Sequence, residues 1–281
     1  MSYPVVMAWD LGMAFSLSES QIRRYARHIV LPGVGGRGQR RLLQSRVLII
    51  GAGGLGCPIA LYLAAAGVGT IGIMDDDVVD LSNLQRQILF RTEDVGRPKA
   101  EVARERLQAL NPDVTVIPYA ERFTAANARR LVAEYDLVLD GSDNFPTKYL
   151  ASDVCVWEGK PLIWGAVFQY EGQIGMVPPG GRPCYRCLLP NPPPPDRVPD
   201  CQQAGVFGAL PGMIGAMQAF EALKWLLGLG TSLAGHLLAF DGLQGEWLAV
   251  QVERRSDCPV CGDHPTIFEP IDYEVFCGLS R

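Results

Sequence analysis

The sequence predicts an α/β protein with a doubly wound, mostly parallel sheet that additional strands extend. Three observations support this prediction. Short aliphatic runs alternate with helical segments between residues 46 and 140, the order that successive βαβ units produce. The runs are unbroken by polar residues, which is typical of strands buried on both faces. A glycine-rich turn joins the first run to the helix that follows it, as in a Rossmann-like unit.

The first predicted helix starts at a capping box. Ser18 and Gln21 have the spacing of that motif, and Ile22, Tyr25 and Ile29 fall on one helical face. The arginines between them lie mostly on the other face, where the pattern alone predicts a solvated surface. These arginines are Arg23, Arg24 and Arg27.

The remaining elements follow in an order that builds the sheet. A glycine-rich segment at 33–38 leads into the first strand, and a proline-rich segment at 190–199 predicts an exposed crossover loop. The predicted strands cover 46–50, 69–74, 114–118, 137–140, 162–166 and 172–177, with a closing pair within 236–252. The predicted helices cover 58–66, 98–110, 125–134 and about 213–227.

Composition excludes several classes of function. The chain has 281 residues, 48% of them hydrophobic, which is enough for a large core. A net charge of −5 without a basic cluster argues against nucleic acid as a partner. The uncharged stretch 204–220 contains several glycines and a proline, so we interpret it as a loop and a core helix rather than a membrane span. Residues 1–15 lack the pattern of a signal peptide, so we expect a cytoplasmic protein whose cysteines act as ligands or reagents.

The turn after the first strand, Gly51-Ala-Gly-Gly-Leu-Gly56, predicts a nucleotide site. Its glycines allow a tight turn, a close approach of the backbone to a phosphate, and tight packing of the next helix. The free N–H groups at that helix start favour an anion. Asp75 ends the second strand about twenty residues later, where a carboxylate can accept a ribose hydroxyl. The pattern fits NAD and ATP equally well, and it is not a Walker A loop.

Three charged residues favour ATP over NAD. Adenylyl transfer builds negative charge on the α-phosphate and on pyrophosphate, whereas hydride transfer needs no cluster of cations there. Arg86 and Lys99 follow the second predicted strand in the sequence and supply positive charge. Asp143 follows a predicted strand and offers the oxygen ligands that Mg²⁺ prefers. The three together predict adenylyl transfer, although each alone also fits a surface charge or a turn.

Two CxxC motifs predict a structural zinc site. Cys184 and Cys187 form one motif, and Cys258 and Cys261 form the other. Four thiolates are the number that a closed tetrahedral zinc site needs, whereas a catalytic zinc keeps one position open. The site would tie the middle of the chain to its C-terminal part.

Seven motifs together make the chain resemble a known family. They are Arg24-Tyr-Ala-Arg27, Gly51-Ala-Gly-Gly-Leu-Gly56, Ser82-Asn-Leu-Gln-Arg-Gln87, Gly96-Arg-Pro-Lys99, Ser142-Asp-Asn144, Cys184-Tyr-Arg-Cys187 and Cys258-Pro-Val-Cys261. On these motifs, which cover nearly the whole chain, it resembles the ThiF/MoeB family. That family comprises bacterial relatives of ubiquitin-activating enzymes that adenylylate ubiquitin-like sulfur carriers.

The resemblance implies a role for each matching residue. Asp75 would bind the ribose with Asp77 close by, Asn83 would help to hold the triphosphate, and Asp143 would hold Mg²⁺. Arg27 would reach into the site of the neighbouring subunit, which implies a homodimer. The implied nucleotide-binding set is Gly51, Gly53, Gly54, Gly56, Asp75, Asp77, Ser82, Asn83, Gln85, Arg86, Lys99, Asp143 and Asn144, and the implied catalytic set is Arg27, Arg86, Lys99, Asp143 and Cys201.

The implied partner is a small ubiquitin-like sulfur carrier that ends in Gly-Gly. Its carboxylate would attack the α-phosphate of ATP, and a sulfur nucleophile would then displace AMP to give a thiocarboxylate. That nucleophile is either Cys201, which directly follows the proline-rich segment, or an external persulfide. We expect a separate sulfur donor, a cysteine desulfurase or a rhodanese. The residues do not choose between thiamine, molybdopterin and tRNA thiolation as the pathway.

The expected organisation is an N-terminal extension at 1–17, an adenylylation domain at 18–265 and a tail at 266–281. Within the domain, residues from about 40–150 would bind nucleotide, and residues from about 151–265 would bind zinc and the carrier. Two other functions stay open. One is an NAD-dependent oxidoreductase, for which the three scattered histidines offer no evident acid–base pair. The other is a zinc-stapled scaffold that binds the carrier without activating it.

Overall fold

A mixed sheet of eight strands runs through the computed structural model, which describes residues 16–194 and 205–279. The spatial order of the strands is β3-β2-β1-β4-β5-β6-β7-β8. The first five strands pair in parallel, and β6, β7 and β8 add to the edge of β5 in antiparallel fashion. The strands are β1 Arg46–Ile50, β2 Thr70–Met74, β3 Thr115–Tyr119, β4 Leu137–Asp140, β5 Leu162–Phe168, β6 Glu171–Val177, β7 His236–Asp241 and β8 Glu246–Gln251.

Helices cover both faces of the sheet and bury one apolar cluster on each. The α-helices are α1 Glu19–Arg24, α2 Ala26–Ile29, α3 Gly35–Gln44, α4 Gly56–Ala66, α5 Lys99–Leu110, α6 Ala128–Ala133, α7 Phe145–Trp157, α8 Tyr185–Leu188, α9 Ala209–Leu227 and α10 Tyr273–Phe276. Side chains of α4, α5 and α9 pack with Ile49 and Ile71 on one face, and those of α6 and α7 pack with Leu48 and Ile50 on the other. Alternate residues of β1 therefore serve opposite cores, as the unbroken aliphatic runs predict.

The predicted α/β architecture is confirmed, whereas four of the described helices, α3, α7, α8 and α10, were not predicted. The capping box at Ser18 is present, and the helix that it starts is interrupted at Tyr25. Helix α3 begins among glycines, one of which, Gly38, lies too close to Val34 and Leu227 for a larger residue to fit easily. The sequence did not predict helix α3, because glycine normally destabilises a helix and this one begins with several glycines. Helix α7 carries polar residues on buried positions, so its pattern does not show an apolar face.

A buried ion pair fastens the C-terminal tail to the α7 face of the sheet. Arg186 in α8 and Asp153 in α7 are almost fully buried and share two parallel N–H···O contacts, the shortest of 2.8 Å. The hydroxyl of Tyr273 donates to the same carboxylate at 2.8 Å, and the ring of Phe276 lies 4.5 Å from the guanidinium. The described part of the tail is thus packed onto the domain. Among the described helices, none has both the length and the apolarity to cross a bilayer.

Candidate active site

Most of the predicted site residues that the structure describes lie where the parallel strands end. Strand β1 lies between β2 and β4, so the chain turns to opposite sides of the sheet after β1 and after β4. Open α/β sheets bind ligands at such a switch point, outside the carboxyl ends of the strands. Asp75 directly follows β2, the turn from Gly51 directly follows β1, and Ser142-Asp-Asn144 follows β4. We call this rim of the sheet the catalytic edge.

The turn after β1, residues 51–56, which we call the phosphate turn, depends on glycine at both ends. Gly51 has φ of 91°, a left-handed conformation that favours glycine. A Cβ on Gly56 would lie only 1.8 Å from the carbonyl oxygen of Gly51, so a side chain there would collide with the backbone. A Cβ on Gly53 would meet nothing closer than a Gln87 side-chain nitrogen at 3.9 Å. Gly53 is therefore free for a close approach by a ligand, while Gly56 holds helix α4 against the strand.

The carboxylate of Asp75 is fixed to this turn. One of its oxygens accepts the N–H of Ala52 at 2.8 Å, and the other accepts the N–H of Asp77 at 3.0 Å. Burial raises the pKa of Asp75 above its usual value, and the neighbouring ammonium of Lys99 opposes that rise. The carboxylate stands beside the phosphate turn, where a ribose would lie.

Lys99 is a buried cation that faces this carboxylate cluster. Its side chain is only 5% exposed, and its Nζ lies 2.9 Å from Asp77 and 3.9 Å from Asp75. Lys99 is the first residue of helix α5, and its backbone N–H donates to the carbonyl of Asp77. The ammonium is thus held at the catalytic edge by backbone as well as by charge.

The Ser82–Gln87 segment begins in a short 3-10 helix, Leu81–Asn83, and continues as a turn that carries Arg86 to the phosphate turn. Asp80 caps the turn by accepting from the backbone and hydroxyl of Ser82, and Asn83 accepts from the N–H of Asp80. Arg86 donates to the carbonyl of Ser82, and its Cγ lies 3.5 Å from the position of a Cβ on Gly54. Arg86 therefore lies beside Gly54, while the side chains of Ser82 and Asn83 hold the turn that carries it.

Asp143 stands on the turn between β4 and α7. Its side chain is exposed, and the turn is held by a hydrogen bond from the N–H of Ser142 to Asp140 at 2.9 Å. The side-chain oxygen of Asn144 accepts the N–H of Thr147 and so caps helix α7. The carboxylate of Asp143 is available for a cation, whereas the oxygen of Asn144 has a structural partner.

A buried polar cluster beneath the catalytic edge was missed by the sequence reasoning. The Nζ of Lys148 lies 2.8 Å from Asp140 and donates to the carbonyl of Gly165 at 2.6 Å. The amide of Gln218 donates to the carbonyl of Asp140 at 2.9 Å. Lysine and glutamine within otherwise apolar helices were a usable signal, since such residues are rarely buried without a partner.

One predicted catalytic residue, Arg27, lies elsewhere. Tyr25 packs against Gly67 at the far end of α4, which has 11 residues and so spans about 16 Å from the phosphate turn. Arg27 follows two positions later and is exposed, so it lies away from the catalytic edge of its own chain. Cys201 lies outside the described residues.

The four CxxC cysteines form one cluster on the α7 face. The distances between their Sγ atoms are 3.4 Å for Cys187 to Cys261, 3.4 Å for Cys261 to Cys184, 3.5 Å for Cys184 to Cys258 and 3.9 Å for Cys184 to Cys187. A tetrahedron of sulfurs around zinc, with Zn–S bonds of about 2.3 Å, has edges of about 3.8 Å. All four thiols are buried and converge as one possible ligand group. The donor set and its spacing fit zinc.

Known proteins are similar to this chain over nearly its whole length. A model described as the ThiF family matches residues 25–260. The "Sulfur carrier protein adenylyltransferase" of Thermus thermophilus is 52% identical over 267 residues, which cover 93% of this chain and 98% of that protein. The "SAMP-activating enzyme E1" of Haloferax volcanii is 50% identical, with 95% and 99% covered. The "Adenylyltransferase and sulfurtransferase MOCS3" of Bos taurus is 49% identical over 94% of this chain, which spans 58% of that longer protein.

Solved structures confirm the fold. A crystal structure of E. coli MccB with MccA-N7isoASN superposes with a TM-score of 0.76 over 87% of this chain and 75% of that chain. Sequence identity in this pair is 23%, so the similarity concerns the architecture alone.

The two glycines of the phosphate turn give a matched pair of variants. Gly56→Ala should prevent stable folding, because its Cβ would collide with the Gly51 carbonyl. Gly53→Ala should keep the wild-type melting temperature and weaken ATP binding about tenfold or more, since only the ligand's approach is blocked. Thermal melting and calorimetric titration with ATP measure the two effects. Wild-type affinity in a folded Gly53→Ala protein would show that the turn does not contact the nucleotide.

Proposed function

Because this chain belongs to the ThiF family, we propose that it uses ATP to adenylylate the C-terminal glycine carboxylate of a small ubiquitin-like sulfur carrier. The observation that carries the proposal is the placement of Lys99 and Arg86 beside the phosphate turn and the Asp75 carboxylate. Relatives that are about half identical over almost their full length are named "Sulfur carrier protein adenylyltransferase" and "SAMP-activating enzyme E1". The reaction forms a bond from a carboxylate oxygen to the α-phosphorus and breaks the bond from that phosphorus to pyrophosphate.

The chain's own residues supply three of the requirements of that step. Asp75 accepts ribose hydroxyls, and the backbone around Gly53 receives the phosphates. Arg86 and Lys99 stabilise the charge that develops on the α-phosphate and on the leaving pyrophosphate. For this, the ammonium of Lys99 exchanges its contact with Asp77 for a phosphate oxygen. Mg²⁺ held by Asp143 would neutralise further charge on the pyrophosphate.

The carrier surface is proposed to include the β7–β8 hairpin. Apolar side chains on this hairpin stay exposed, with Leu243 at 69%, Leu248 at 62% and Trp247 at 42%. An exposed apolar patch at a sheet edge is typical of a protein-binding surface. The turn of the hairpin lies at the catalytic edge, because Asp241 pairs with Glu171 at the start of β6. The proposal assigns nucleotide binding to residues from about 40–150 and carrier and zinc binding to residues from about 151–265.

The sulfur step is proposed to follow adenylylation. A sulfur nucleophile attacks the acyl-adenylate, forms the carbon–sulfur bond and releases AMP. The nucleophile is a persulfide on a separate cysteine desulfurase or rhodanese, which attacks directly or displaces Cys201 from a thioester, and the product is an acyl disulfide. A second thiol then cleaves the S–S bond, so the carrier leaves as the thiocarboxylate and the donor cysteine forms a disulfide with that thiol. The thiocarboxylated carrier then serves thiamine, molybdopterin or tRNA thiolation in the cytoplasm.

Zinc is proposed at the four clustered cysteines as a structural ion. Binding free energies of such sites reach ~10–16 kcal/mol, as large as the net stability of about 5–15 kcal/mol of a whole domain. The cluster joins α8 to the segment that follows β8, which are far apart in the chain. Its loss should therefore loosen the α7 face of the molecule.

A homodimer is proposed from the position of Arg27. Arg27 lies away from the catalytic edge of its own chain. In a dimer it can act in the site of the partner subunit. Tyr62 of α4 and Phe220 of α9, on two helices that pack together, are 58% and 62% exposed. A second subunit would cover such aromatic rings.

Carrier-dependent exchange of pyrophosphate into ATP tests the adenylylation step. With a Thermus thermophilus sulfur carrier protein as the probe, the wild-type enzyme should catalyse exchange. Arg86→Ala and Asp143→Ala should each lower the rate by a factor of a hundred or more, because one such charge contributes about 2.7–4 kcal/mol to the barrier. Arg91→Ala, an exposed arginine nearby, is the matched control and should keep full activity. Retained exchange in both site variants would contradict the assigned site.

Mixing two inactive variants tests the dimer. Arg27→Ala and Asp143→Ala should each be inactive alone. After they are mixed, unfolded and refolded together, about a quarter of the sites should work, because half of the dimers are mixed and each mixed dimer has one intact site. Exchange activity of the mixture measures this. Absence of recovery, with dimers present by light scattering, would place Arg27 outside the partner's site.

Metal analysis tests the zinc site. The purified protein should hold about one zinc per chain, and Cys261→Ser should lose it and melt at a lower temperature. Cys155→Ala is the control, since Cys155 is buried away from the cluster and should leave the zinc content unchanged. Zinc retained in full by Cys261→Ser would contradict the four-cysteine site.

A further inference from the structure

Two exposed aromatic rings stand together at the catalytic edge, beyond the nucleotide-binding residues. Tyr170 lies in the turn between β5 and β6, and Phe207 lies two residues before α9. Their ring centroids are 6.3 Å apart with an interplanar angle of 40°. Tyr170 is 46% exposed and Phe207 is 68% exposed, so their faces are available to a ligand. We call these two residues the aromatic pair.

The backbone holds both rings of the aromatic pair in place. Phe207 donates its N–H to the carbonyl of Gln169 at 3.1 Å, and Gly242 in the β7–β8 turn donates to the carbonyl of Tyr170 at 2.9 Å. Gln169 has φ of 49°, a conformation that costs a non-glycine residue roughly 1 kcal/mol or more. Three chain segments therefore meet at the two solvent-facing rings. The segment that contains Gln169 has a strained backbone at this point. Strain of this kind clusters at ligand sites.

The aromatic pair is linked directly to the phosphate turn. Gly208 packs so closely on Gln85 that a Cβ would lie 2.4 Å from its carbonyl oxygen. Pro211, four residues after Phe207, lies 3.1 Å from the position of a Cβ on Gly54. Along the sheet, β6 is three strands from β1, a distance of roughly 14 Å. An extended peptide covers that distance with about four residues.

The charge beside the aromatic pair is negative. Glu171 follows Tyr170 directly, and its paired residue on β7 is Asp241. Both side chains are exposed, so a ligand side chain that rests on the rings lies beside two carboxylates. An apolar side chain gains contact area there, whereas an acidic one meets repulsion and loses water.

On the basis of the proposed function, we propose that the aromatic pair is a specificity site for the carrier's C-terminal tail. With the terminal carboxylate at the α-phosphate, the two glycines span the first half of the distance. The third and fourth residues from the carrier's C-terminus then reach Tyr170 and Phe207. The site accepts apolar side chains at these two positions and rejects acidic ones.

Carrier variants test this inference. A Thermus thermophilus sulfur carrier protein is prepared with leucine or with glutamate at the third and fourth positions from its C-terminus. With the wild-type enzyme, kcat/KM for pyrophosphate exchange should be at least tenfold higher for the leucine carrier, since tenfold corresponds to about 1.4 kcal/mol. In the double variant Tyr170→Ala/Phe207→Ala, the ratio should fall below about threefold, while the KM for ATP and the melting temperature stay unchanged.

Phe268→Ala is the matched control, because this exposed aromatic residue lies on the tail against the other face and should keep the wild-type ratio. A ratio that is unchanged in the double variant would overturn the specificity site, and so would equal rates for the two carriers with the wild-type enzyme. If pyrophosphate exchange is still observed in these cases, the proposed function is not contradicted. Absence of exchange by the wild-type enzyme with any carrier would overturn both.

Discussion

The catalytic edge rests on one buried ion pair, between Lys148 and Asp140. Both side chains are almost fully inaccessible to water, and burying an unpaired charge of either kind would cost several kcal/mol. The pair therefore fixes α7, which carries Lys148, against β4, which ends at Asp140. A second contact, from Lys148 to the carbonyl of Gly165, adds β5 to the same point. Three elements meet where the strands end, and the loops that bind ligands start from there.

The second carboxylate oxygen of Asp140 and its backbone carbonyl connect the ion pair to the rest of the site. The carboxylate accepts the N–H of Ser142 and sets the turn that presents Asp143. The carbonyl accepts the amide of Gln218, which locks α9 over β4. Helix α9 places Pro211 on the phosphate turn at its start and is preceded by the aromatic pair. One polar cluster thus positions both the nucleotide site and the proposed tail site, so the two are held at a fixed separation.

Local patterns predicted much of this molecule, and non-local contacts account for what was missed. Short sequence patterns predicted the strands, the phosphate turn and the two CxxC motifs. Strand burial, a tight turn and metal binding each restrict which residues can stand close together in the sequence. Lys148 was missed because its partners lie on strands β4 and β5, and Arg186 was missed because its partner Asp153 lies on another helix. Pattern alone placed Arg27 on a solvated face, and the structure does show it exposed. The resemblance to a family was needed to give it a role.

Helix α7 connects the two halves of the molecule that the sequence presents separately. Its first turn is capped by Asn144 next to Asp143, and its third turn carries Asp153, which is paired with Arg186 between two of the clustered cysteines. Nine residues of helix separate these points, or about 14 Å. A rigid helix transmits a displacement at one end to the other, because its core side chains are close-packed. The cysteine cluster therefore does more than close a loop: through Arg186 and Asp153 it holds the helix whose other end positions the proposed magnesium ligand.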